Sequence, residues 1–159
     1  MAEKLNQLKK DYAKLGGKYK LPSFKELNEE FDIEKVQEIE TETLLREIRK
    51  VIMDKVLAYL RFVEMFLNPT NAPLFFLAIM KNLDSSDKKV LEELYEKLGK
   101  MEIKVIAVDN EYSEKTEAEF IKHLCSEWRD VKEGIKKVSI SLEKCWDKKC
   151  EKKEKSYVG

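Results

Sequence analysis

The sequence predicts an all-α protein: an up-down helical bundle of three long helices, over about residues 41–67, 86–112 and 114–149, with shorter N-terminal helices packed on it. Three observations carry this. Apolar residues recur in steps of three and four through each long segment, the period of one helix face. Glycine (5) and proline (3) are scarce among 159 residues, which suits long helices with short connections. No segment offers itself as the ladder partner of a strand, so Ile103–Val108, although rich in β-branched residues, reads as helix.

The first element is a short amphipathic helix through Leu5, Leu8, Tyr12 and Leu15, which Gly16-Gly17 is expected to end. It is basic, with Lys4, Lys9, Lys10, Lys14, Lys18 and Lys20 against Glu3 and Asp11. Ser23 and Glu26 then show the spacing of a capping box, so a short helix follows with Phe24, Leu27 and Phe31 on one side. From Glu26 to Glu42 the chain is acidic, opposed only by Lys35, while Ile33, Val36 and Ile39 keep it amphipathic. This reads as a solvated face lying beside the basic first helix; a docking surface for a basic partner is the sharper alternative.

The central helix places Leu45, Ile48, Ile52, Val56, Tyr59, Val63 and Phe66 on one stripe. Leu57, Leu60, Phe62 and Leu67 make its C-terminal half apolar on most sides. Asn68-Pro69-Thr70-Asn71 breaks it, and Asn71 is expected to cap a short helix with Pro73 in its first turn. The run Leu74–Met80 carries no charge. It is either a plug in the core or an exposed patch that binds a partner, with Leu74, Phe75 and Phe76 as the interaction residues. Asp84-Ser85-Ser86-Asp87 caps the next helix, whose stripe is Leu91, Leu94, Leu98, Met101, Val105, Val108 and Tyr112. Ser113 caps the last, whose stripe runs from Ile121 through Leu124, Trp128, Val131, Ile135, Val138 and Leu142 to Cys145. Residues 1–147 are expected to form a single domain, and the charged segment 148–159 a frayed tail.

Composition narrows the function classes. Lys plus Arg equals Asp plus Glu at 31 each, which disfavours a nucleic-acid binder with an overall basic field. Charged residues reach 39%, and the abundance of Lys and Glu is thermophile-like. The amino terminus has no signal-peptide pattern and no apolar run approaches the roughly 20 residues of a membrane span, so a cytoplasmic protein is expected. Cys125, Cys145 and Cys150 are expected to be reduced surface thiols, holding neither zinc nor a disulfide. The single histidine, His123, excludes a di-iron site of two Glu-x-x-His motifs, and Cys125, two positions on, points about 200° away around the helix, so the two are poorly arranged as a dyad.

One enzymatic pattern is present. Glu26-x-x-Glu29 and Glu93-x-x-Glu96 have the spacing with which all-α, Mg²⁺-dependent nucleotide pyrophosphohydrolases hold their metal, since carboxylates at i and i+3 share a helix face. With 31 acidic residues such spacings arise by chance. A weak nucleic-acid-binding protein is a further alternative, resting on the basic first helix, the Lys144–Lys155 tail and Trp128, Trp146 and Tyr157 as stacking residues. The main reading is a non-enzymatic interaction or scaffold protein with no metal and no cofactor, whose protein partner the sequence does not name. A two-fold homodimer is expected because the apolar surface beyond Val56, together with Leu74–Met80, exceeds what one neighbour covers; a lid of N-terminal helices is the alternative.

The run Leu21-Pro22-Ser23-Phe24, followed by Leu44-Leu45-Arg46-Glu47-Ile48-Arg49 and then Ala118-Glu119-Phe120-Ile121, resembles a family of small archaeal helical proteins of unknown function, over roughly residues 20–146. The resemblance implies an archaeal, cytosolic, helical protein and carries over no functional residue.

Overall fold

A computed structural model describes residues 1–157, with side-chain surroundings through residue 148. Six α-helices follow in order: α1 (Ala2–Tyr19), α2 (Phe24–Phe31), α3 (Leu44–Leu67), α4 (Leu74–Met80), α5 (Ser85–Asn110) and α6 (Glu114–Tyr157). Short 3-10 turns lie at Ile33–Glu38 and Pro69–Asn71. Among the described residues there is no strand, and Ile103–Val108 is part of α5. The all-α class and the three long packed helices are therefore as expected. α6 continues past residue 149; Cys150 and the other tail side chains lie outside the described surroundings.

Two compact units divide the chain, one of Met1–Ala58 with Lys100–Trp128, the other of Tyr59–Gly99 with the chain from Arg129. In the first unit, α1 does not stop at its two glycines. It continues to Tyr19, and Lys20 takes the left-handed conformation at φ 56° and ψ 48°. The Lys20 and Leu21 amides both donate to the Gly16 carbonyl, so the helix end is hydrogen-bonded without a glycine at the turning position. Tyr12 is buried, its hydroxyl donating to the Pro22 carbonyl at 2.6 Å. The capping box at α2 forms as its spacing predicts: the Ser23 amide donates to Glu26 Oε2 at 2.7 Å, and the Glu26 amide to Ser23 Oγ at 3.2 Å. Ile33 and Val36 are buried from the 3-10 turn, which lays the acidic segment on its unit, and Lys4 pairs with Glu38 at 2.7 Å.

In the second unit, α5 and α6 run antiparallel. Lys97 pairs with Asp130 at 3.2 Å, and stepping back to Asp87 reaches forward to Ser141 at 2.6 Å. The helices approach closely where Gly134 faces Leu94: a Cβ there would stand 2.8 Å from Leu94 Cδ2. Asp84 caps α5 reciprocally, its Oδ1 accepting from the Asp87 amide at 2.9 Å and its own amide donating to Asp87 Oδ2 at 3.3 Å. Asn71 does not cap α4. Pro69 opens a 3-10 turn closed by the Ala72 amide at 3.0 Å, and the cap position falls to Pro73, whose carbonyl accepts from the Phe76 amide.

Candidate functional site

The charge-free run becomes α4, and about two turns of helix do not hide seven apolar side chains. Only Ile79 is buried. Leu74 is 83% exposed and Phe75 46%. An aromatic chain leads from the interior to this surface. Phe66, buried on α3, packs edge-on against Phe62 at 5.2 Å and Phe76 at 5.1 Å; Phe76 meets Phe75 at 5.2 Å, and Phe75 meets Trp146 of α6 at 4.8 Å. Trp146 is itself 38% exposed. Beside this edge, Leu74, Leu77, Ala78 and Met80 line an open groove of about 580 Å³, with Lys81 as its one charge. The structure thus joins Phe75 and Phe76 to Trp146, which the sequence offers only as a candidate stacking residue. Edge-on aromatic contacts at these centroid distances hold Phe75 in a defined position although half of it is in solvent.

The carboxylate pattern has other employment. Glu26 is committed to the α2 cap, and its hydrogen bonds from Ser23 hold its carboxyl below the usual carboxylate range. Glu29 lies 3.8 Å from Lys25 on the exposed face. Glu93 and Glu96 are exposed on α5 in the other unit. Among the described residues no group of three or more His, Cys, Asp or Glu side chains is arranged to hold a metal ion.

The thiols are not on the surface as expected. Cys145 is buried, its Sγ 3.4 Å from the Asn82 carbonyl oxygen, and Cys125 is half-buried. Burial pushes the Cys125 thiol up to about 11 and raises that of Cys145 as well, so neither is a ready nucleophile. Cys145 is buried because it continues the apolar stripe of α6, where a small thiol packs as a hydrophobe. His123 Nε2 lies 2.6 Å from Lys104 Nζ and 3.6 Å from Glu127.

A buried charge cluster in the first unit is absent from the sequence reading. Arg49 of α3 donates through Nε to Glu117 Oε2 at 2.6 Å and through Nη2 to Glu117 Oε1 at 3.2 Å. Arg49 also bonds Asp109 at the end of α5, and Arg46 adds a contact to the Asp109 carbonyl at 3.0 Å. Glu117 is fully buried and Arg49 nearly so. Burial works against the Arg49 charge, but the bonds from Glu117 and Asp109 outweigh it and raise its pKa. The signal was there. Arg49 stands one turn after Leu45 and Glu117 one turn before Ile121, so continuing either stripe lands on a charge of opposite sign. This group fastens helix ends, and no buried side-chain nitrogen or oxygen among the described residues is left without a partner.

Against known proteins the chain stands apart: no family model, no curated protein and no solved structure matches it.

Proposed function

We propose that this chain is a protein-interaction module whose working surface is the exposed face of α4, and that the surface is occupied by a second copy of the chain. The observation that carries this reading is the exposure of Leu74 and Phe75 beside Trp146, on a face whose groove holds one charge. Aromatic residues ordered by their neighbours but open to solvent are the kind that anchor interfaces. A face with so little charge does not select an acidic or a basic partner. It is suited to a self-complementary contact, in which each copy's Phe75 edge meets the other's groove across a two-fold axis.

A scaffolding role rather than catalysis follows from the same surface, because its side chains supply contact area and no acid, base or nucleophile. An archaeal cytosolic setting belongs to this reading; the Lys- and Glu-rich composition and the resemblance over residues 20–146 support it. No helix among the described residues is long and apolar enough to cross a membrane. The test is Phe75→Glu, which places a carboxylate at the centre of the contact. The variant is expected to keep its helical circular dichroism while its mass by light scattering falls to half that of the parent. An unchanged mass would overturn the assignment of the contact to α4.

A further inference from the structure

In the first unit, the end of α1 and the first three turns of α6 line an open cleft of about 220 Å³. Four lysines line it: Lys18, Lys20, Lys115 and Lys122, with Tyr19 and Glu119 beside them. In a chain of zero formal net charge this is a local excess of cations. Two of the four are engaged. Lys18 donates to Glu114 Oε1 at 3.0 Å, an oxygen that also accepts from the Tyr19 hydroxyl at 2.7 Å, and Lys115 lies 3.9 Å from Glu119. Lys20 and Lys122 have no ion pair among the described residues, which leaves two uncompensated ammonium groups at one concavity.

Lys20 is the second observation. It holds a left-handed backbone, a position that glycine ordinarily fills after a helix because a side chain there is strained. Two glycines stand a few residues earlier inside α1, yet the strained position carries a lysine on the cleft wall. A side chain at a strained position on the wall of a cationic concavity points to a role for the side chain itself.

We propose that this cleft binds the terminal phosphate of a phosphorylated small molecule. Ammonium groups act as point charges toward a compact polyanion and need no bidentate geometry. The cleft is too small for a base and sugar as well, so the phosphate end is what it takes up. A nucleic-acid backbone would instead require a track of cations at successive phosphates.

The experiment is an amide NMR titration with inorganic pyrophosphate at low salt. A parallel arm uses a short single-stranded oligonucleotide lacking terminal phosphates. Pyrophosphate is expected to shift the amides of residues 18–20 and 115–122, while those of Lys9 and Lys10 stay still. Lys122→Gln is expected to weaken binding about fivefold, the worth of an exposed charge contact. Lys20→Gly is expected to weaken it similarly while raising Tm by about 2 °C, because glycine relieves the left-handed position. That opposition separates a binding lysine from one with only a structural role. Shifts spread evenly over all lysines would overturn the proposal, as would binding unchanged in both variants. Shifts produced by the oligonucleotide and not by pyrophosphate would overturn it in favour of backbone binding.

Discussion

In the unit of Met1–Ala58 and Lys100–Trp128 the interior holds two charged side chains, Arg49 and Glu117; in the other unit no charged side chain is buried among the described residues. Apolar side chains reach the surface in both, at Ile103 and Ile106 in the first and at Leu74 and Phe75 in the second, where Phe75 packs on Trp146 beside an apolar groove. The first arrangement ties helix ends together with an ion pair whose partners have left water. It is tolerable only while both partners are present, since either alone is an uncompensated buried charge. The second leaves an apolar face that costs the folded chain little and that a second copy can cover. The two units should therefore respond to mutation in opposite ways: the first intolerant of losing a charge, the second tolerant of gaining one.

The largest effect is expected at the buried pair. Arg49→Met should destabilise the protein by about 3–5 kcal/mol in urea denaturation, because Glu117 is then left buried without its partner. Adding Glu117→Leu to that variant should recover most of the loss, since an apolar pair of similar volume removes the stranded charge. A double variant no better than the single one would show that the cluster's geometry, not its charge balance, sets the cost.

Two glycines of the second unit sharpen the comparison at a smaller scale. Gly134→Ala forces the buried Leu94 side chain aside and is expected to cost about 1 kcal/mol after the gain in helix propensity. Gly99, where a Cβ would meet nothing within 4 Å, should instead gain about 0.5–1 kcal/mol as alanine. Equal changes at both positions would contradict the close approach of α5 and α6 at Leu94. Phe75→Glu, made on a half-exposed side chain, should alter the stability of the folded chain by no more than about 0.5 kcal/mol.

The smallest effect concerns acid. Hydrogen bonds within the caps hold both Glu26 and Asp84 below the usual carboxylate range. Their contribution to the starts of α2 and α5 is therefore complete at neutral pH and is lost as pH falls through these lowered values. Carbon-detected NMR titration should show both carboxyls protonating below the usual carboxylate range. Ordinary titration of either one would remove the cap from the account.

The helices were legible because period and caps are local properties. Ser23 with Glu26, Asp84 with Asp87, and Ser113 all stand where the spacing puts them, and the stripes from Leu91 and Ile121 are mostly buried. Tyr112 fell outside α5 because the helix ends at Asn110, and its ring instead stands under the Arg46 guanidinium at 5.5 Å. What escaped was whatever depends on a partner distant in sequence. Arg49 and Glu117 stand 68 residues apart, and although each falls on an apolar stripe, the stripe alone does not say which distant charge it meets. Lys20 escaped because Gly16-Gly17 is the stronger local stop signal. The exposure of α4 stayed one of two alternatives because a charge-free run looks the same from the sequence whether its own core or another chain covers it, and the part Trp146 plays beside Phe75 depends on α6 passing there.

The central claim is that the α4 face is covered by a second copy, and the mass of the unmutated protein in solution tests it most directly. Light scattering at micromolar concentration is predicted to give the mass of two chains, about twice 18.8 kDa. A one-chain mass at that concentration would contradict the account and leave Leu74 and Phe75 exposed on a monomer.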